Sequence, residues 1–156
     1  MQGYVLVILL SYAVFLLYPT SAPRLETVAV TGFSTWTLQA LYGMDPPYNC
    51  FPSLHVAYSF VAAFACRRVH RGVGLAAIVW ASLIAISTLF TKQHYVADVI
   101  GGTVAALLAQ LLFLRRHPFA ATPEHDRRRA PARALAAAAI YAAMLAVFAV
   151  AYHVTS

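Results

Sequence analysis

A chain of 156 residues that is 62% hydrophobic, only 10% charged and carries a net charge of +6 cannot be an ordinary soluble domain, in which about 45–50% of residues are apolar and about 25% charged. Nor can it be disordered, because so apolar a chain does not stay solvated. What remains is an all-α, polytopic bundle of transmembrane helices, with residues 1–156 forming a single membrane domain. β-Barrel strands would alternate polar and apolar side chains, and the apolar runs here do not.

A helix crossing the hydrocarbon needs roughly 20 mostly apolar residues. The first candidate, about Tyr4–Tyr18, has no basic leader and no small-x-small cleavage site before Tyr18-Pro19, so it reads as a retained helix. The long stretch Leu25–Asn49 carries Trp36, Tyr42 and Tyr48, which suit the headgroup layer; part of it reads as an interfacial helix stopped by Asp45-Pro46-Pro47. The next apolar run, Leu54–Cys66, reaches only ~20 Å at 1.5 Å per residue, so its helix is expected to continue through Arg67 and Arg68, whose stems can snorkel. Val73–Phe90, Tyr95–Leu114 and the Ala-rich Ala134–Tyr152 complete five expected spans.

The charges give these spans a direction. Nine of the eleven Lys and Arg residues fall in two connections, Arg67–Gly72 and Arg115–Arg133. If five spans alternate, both connections lie on one side, and positively charged loops stay in the cytoplasm. The basic balance is therefore a topology signal. No basic groove interleaved with aromatics accompanies it, so no nucleic-acid partner is expected. Cys50 precedes the second span and Cys66 closes it, which places them at opposite faces, too far apart to bridge.

Three polar sets then converge on the non-cytoplasmic side: Tyr18–Arg24, Asn49–His55 and Ser87–Asp98. Polar side chains at such depths call for individual explanations. His94 and Asp98 are spaced i, i+4, which on a helix puts them on one face about 5–6 Å apart at Cβ. A carboxylate at one imidazole nitrogen fixes the tautomer and leaves the other lone pair free to attack. His55, from another span, could supply the proton a leaving group needs. Pro52-Ser53 opens a helix whose free N–H groups favour an oxyanion, and Arg24 and Lys92 are the nearby cations that a phosphoryl group would need. The same residues admit other readings. Ser53 suits an N-cap and Arg24 a snorkelling side chain. One carboxylate with two imidazoles makes a thin metal site, and two histidines on separate helices could ligate haem.

Pro52-Ser53-Leu54-His55 and His94-Tyr95-Val96-Ala97-Asp98 resemble, in order and spacing, the Pro-Ser-x-His and His-x3-Asp motifs of the type 2 phosphatidic acid phosphatase superfamily. Phe-Pro-Ser-Leu-His and Thr-Lys-Gln-His-Tyr look most like its inositol phosphorylceramide synthase, or inositol phosphotransferase, branch. The resemblance runs from about Tyr18 to Leu114, a catalytic core of residues 18–114, with the span at 134–152 as an addition. It implies a metal-independent membrane lipid phosphatase or phosphotransferase without a cofactor. His94 would form a phosphohistidine, Asp98 would orient it, and His55 would serve as acid and then base. Arg24, Ser53, Leu54 and Lys92 fall in the phosphate-binding positions. The implied partners are membrane lipids, a lipid phosphate substrate and an alcohol acceptor such as inositol, with an oligomer or partner subunit covering exposed helix faces.

The sequence also departs from the pattern. The usual Ser-Arg pair falls at Ser87-Thr88, with Lys92 as the substitute cation, and the usual Gly of Pro-Ser-Gly-His is Leu54. The early Lys…Arg-Pro motif is reduced to Ala22-Pro23-Arg24, and the chain starts at what would be the third span of six. A reading from another class follows from these losses: a non-catalytic membrane scaffold or transporter fragment retaining a relic site.

Overall fold

The computed structural model describes residues 1–22, 28–115 and 122–155, and among them all the regular structure is helical, with no strands. Helix α1 spans Gln2–Leu17, α2 Phe33–Met44, α3 Leu54–Val69, α4 Arg71–Phe90, α5 Val96–Ala109 and α6 Glu124–Thr155; a π-helical turn, Gln110–Leu114, prolongs α5. Three of these segments, Arg71–Phe90, Val96–Leu114 and Glu124–Thr155, are long and apolar enough to cross a bilayer. The chain is an integral membrane protein. Helices α1 and α3 have 16 residues each, shorter than the roughly 20 a perpendicular span requires.

Helix α3 is the centre of the bundle and packs against α4, α5 and α1. The reason lies in small residues. On α1 the buried positions are Gly3, Val7, Ser11 and Phe15, a stripe repeating every fourth residue. That stripe meets Ala57 and Val61 of α3 and Ala105, Ala106 and Ala109 of α5, which together with Val7 form the core. Without a hydrophobic drive between helices in lipid, such close approach supplies the dispersion contacts that hold the bundle. Gly74 allows the tightest crossing, because a Cβ there would collide with the Arg67 backbone at the α3–α4 junction.

The stretch read as holding an interfacial helix contains α2, which ends where expected, at Asp45 ahead of the two prolines. Its Trp36 and Phe33 rings meet Phe148 and Tyr152 of α6. The two basic connections differ from expectation in form. A single residue, His70, separates α3 from α4, and its Nδ1 accepts from the Val73 N–H at 3.2 Å. Much of the second connection is helical, since α6 starts at Glu124 and takes in Arg127–Arg129, Pro131 and Arg133; ion pairs Arg128–Glu124 and Arg133–Asp126 run along its first turns. A helix of 32 residues is ~48 Å long, more than the hydrocarbon needs, so its charged start can project beyond it. The two connections nonetheless meet, as Thr122 Oγ1 donates to the Arg68 carbonyl at 3.1 Å. Both therefore sit at the end of the bundle where α3 finishes.

Candidate active site

At the other end of α3 lies the Phe51-Pro52-Ser53-Leu54-His55 segment. Ser53 is the N-cap of α3: fully buried, its Oγ accepts from the Val56 N–H at 3.4 Å. This consumes the side chain in capping, so what Ser53 offers the site is position. His55 follows in the first turn, near the positive end of the helix dipole.

The α4–α5 turn brings the second histidine. Helix α5 starts at Val96, and Asp98 in its first turn accepts the Tyr95 N–H through Oδ2 at 2.8 Å. His94 therefore lies just before the helix, not on its first turn as the i, i+4 argument supposed. The extended Tyr95 backbone (φ −86°, ψ 164°) folds His94 back over Asp98 all the same. His94 Nδ1 is 3.4 Å from Asp98 Oδ2, with both side chains largely buried. The contact falls short of a formed hydrogen bond, and among the described residues Nδ1 has no hydrogen-bond partner.

The two histidines, 39 residues apart in sequence, meet with His55 Nδ1 and His94 Nε2 at 3.4 Å and the rings edge to face. Burial pushes the His94 imidazole below its usual range and the neighbouring His55 adds to this, while Asp98 and then Asp45 pull it back up. The neutral ring, with its lone pair available, is the favoured form. With its proton on Nδ1 toward Asp98, His94 turns its Nε2 lone pair to the side on which His55 stands. The arrangement can present one nucleophilic nitrogen beside a second imidazole that serves as proton donor when it is itself protonated.

The pair opens onto a cavity of about 220 Å³ lined by Tyr12 and Phe15 of α1, the loop from Asp45 to Cys50, Leu54 and Gln93. The three polar sets read from the sequence do converge here. The Asn49 N–H donates to the Thr20 carbonyl at 2.7 Å and the Phe51 N–H to Thr20 Oγ1 at 2.9 Å, while the Ser53 N–H donates to the Asp98 carbonyl at 3.0 Å. Of the seven residues singled out, His55, His94 and Leu54 line the cavity and Asp98 stands behind His94. Ser53 lies beneath it as a cap. Lys92 is exposed in a left-handed conformation (φ 52°) and does not line the cavity. Arg24 lies outside the described residues. Among the described residues no cation lines the cavity, and no group of three or more His, Cys, Asp or Glu side chains is arranged to hold a metal ion.

Sequence reasoning missed four contributors. Gly101 and Gly102 let the Phe51–Ser53 segment lie against α5: a Cβ on Gly101 would come within 2.7 Å of the Phe51 ring, and one on Gly102 would collide with the Ser53 carbonyl. A glycine pair inside an apolar span, one turn after Asp98, was the available signal. Asp45 was read only as part of a helix stop, and Gln93 only within a polar turn and the Thr91–Tyr95 wording, with no role of its own. Their role needs the tertiary contact.

A family model described as the PAP2 superfamily matches residues 1–112, which takes in α1 to α5 and both histidine motifs and stops short of α6. No curated protein and no solved structure matches the chain.

Proposed function

The chain belongs to the PAP2 superfamily, and from that membership we propose that it cleaves a phosphoester of a membrane lipid through a phosphohistidine on His94, without a metal. The observation that carries this reading is the placement of His55 Nδ1 3.4 Å from His94 Nε2, with Asp98 behind His94. In the first step the His94 Nε2 lone pair attacks phosphorus and the bond from phosphorus to the lipid oxygen breaks. His55, entering this step as the imidazolium, gives one proton to the departing alkoxide and becomes neutral. The nascent positive charge on His94 is shared with Asp98 through the Nδ1 proton. In the second step a hydroxyl enters, His55 takes its proton, and the oxygen displaces Nε2 from phosphorus. Both catalysts return to their starting forms.

Water as the second nucleophile gives a phosphatase, and an alcohol gives a transferase. The Phe51–His55 and Thr91–Tyr95 wording supports an alcohol such as inositol. The membrane arrangement that goes with this reading has five spans, α1 and α3 crossing with α4, α5 and α6. With the basic connections at the far end of α3 kept in the cytoplasm, the site on this reading faces the non-cytoplasmic side.

The test is to mix the purified protein with phosphatidic acid carrying a labelled phosphate, quench in alkali and look for labelled protein. An acid-labile phosphoprotein that vanishes in His94→Ala supports the reading. Lipid turnover that survives His94→Ala undiminished defeats it. Repeating the reaction with inositol separates the two outcomes, since label appearing only as free phosphate rules out transfer to inositol.

A further inference from the structure

Asp45 stands on the cavity wall together with His55 and His94. Gln93 Nε2 donates to Asp45 Oδ2 at 2.9 Å, and Gln93 Oε1 lies 3.1 Å from Thr91 Oγ1, whose one proton it shares with the Ser87 carbonyl at 2.9 Å. Gln93 is only 6% exposed, so both ends of a buried amide are held. From the same side, the Tyr42 hydroxyl of α2 donates to the Thr91 carbonyl at 2.7 Å. These three bonds grip the turn Thr91-Lys92-Gln93, whose middle residue holds a left-handed backbone that a side chain disfavours (φ 52°). A conformation of that kind persists only where its surroundings fix it. The next residue is His94.

We propose that Asp45 and Gln93 are positioning residues for His94, through which the interfacial helix α2 sets the angle of the attacking imidazole. The inference rests on the phosphotransfer reading above for its kinetic consequences, but its geometric claim stands on the hydrogen bonds alone. A buried amide bridging a carboxylate and a threonine hydroxyl fixes the turn in two directions, where either bond by itself would allow it to pivot. Asp45 also puts a negative charge on the wall His94 faces. The other titratable or charged groups around that ring are His55 from α3, Asp98 from α5, Tyr12 from α1 and Tyr48 from the loop, with Lys92 exposed in the turn itself. Asp45 and Asp98 favour an imidazolium, whereas His55 opposes it.

Two variants of the full chain in detergent micelles test this. Asp45→Asn keeps an acceptor for Gln93 but removes the charge, and histidine-labelled NMR of the unliganded protein reads the His94 titration directly. That titration is expected to move to lower pH, and Asp45→Glu is expected to restore it. Gln93→Met removes both bonds at similar volume. With phosphatidic acid as substrate, it is expected to lower kcat by roughly 10–100-fold with KM changed less than about threefold. Gln93→Met is also expected to shift the His94 ring resonances in the same NMR spectra; a Gln93→Met protein with parental His94 resonances or parental kcat overturns the proposal, as does an Asp45→Asn protein whose His94 titrates as in the parent. If Asp45→Asn does not fold, the kcat of Gln93→Met decides. A parent protein without phosphatase or transferase activity refutes the function and not the clamp, because the NMR arm needs no turnover.

Discussion

The Ser53 N–H donates to the Asp98 carbonyl at 3.0 Å, so the helix that carries His55 is fastened at its N-cap to the helix that follows His94. The distance between the two imidazoles is therefore set by backbone, not by flexible side chains. The fastening requires the Ser53 carbonyl to rest on Gly102, where any Cβ would collide with it. Gly102→Ala is expected to push α3 from α5 at the site end, destabilising the protein by about 1–3 kcal/mol and lowering activity at least tenfold. Thermal unfolding in detergent and initial rates measure the two effects. An alanine variant with unchanged rate would show that the helix starts are not coupled.

His55 is assigned to the proton that the leaving oxygen needs. Its removal should therefore hurt in proportion to how poor the leaving group is. His55→Ala is expected to slow an alkyl phosphate such as phosphatidic acid by about 10²–10⁴-fold, and an aryl phosphate with an acidic phenol far less. His94→Ala should abolish turnover of both substrates alike. Equal losses for the two substrates in His55→Ala would mean that His55 only packs against His94.

Asp98 accepts from the Tyr95 N–H and faces His94 Nδ1 at the same time. Asp98→Asn can keep the cap, since an amide oxygen still accepts, but it loses the charge that favours the reactive tautomer. The expected outcome is little change in thermal stability and a fall in kcat of up to about 10⁴-fold, the size seen when an orienting aspartate is amidated in a catalytic triad. Loss of stability without a specific loss of kcat would reduce Asp98 to a capping residue.

Much of this site was legible because its chemistry is carried by short motifs. Pro52-Ser53-Leu54-His55 and His94–Asp98 fix residue types at fixed spacing, and the structure brings the histidines together as the topology requires. The start of α5 was not legible, because the carboxylate of Asp98 serves both as cap and as orienting group, and only the cap decides where the helix begins. Periodicity also underestimated α6. Its first turns are polar and escape an apolar window, but ion pairs spaced four and seven residues apart support them as helix. Asp45 and Gln93 were beyond reach for a different reason: they lie 48 residues apart, and nothing in the Thr91–Tyr95 wording that contains Gln93 pairs it with Asp45. The glycines, in contrast, were visible and unread.

The ionisation of His94 ties stability to acidity. Burial holds its imidazole below the ordinary 6.5, with Asp98 only partly offsetting this. The folded state thus prefers the neutral ring more strongly than the unfolded chain does. The corresponding stabilisation is fully present above pH about 6.5 and is lost as pH falls from there through the depressed folded value. The melting temperature should accordingly decline below pH 6.5, and His94→Gln should flatten that decline. For catalysis the same shift keeps the nucleophile unprotonated, so the acid limb of kcat/KM is expected below pH 6.5. Asp98→Asn removes the largest influence favouring the imidazolium and should move that limb further toward acid in whatever activity remains. An acid limb above 6.5 that does not respond to Asp98→Asn would show that some other group, and not His94, must lose its proton before phosphorus is attacked.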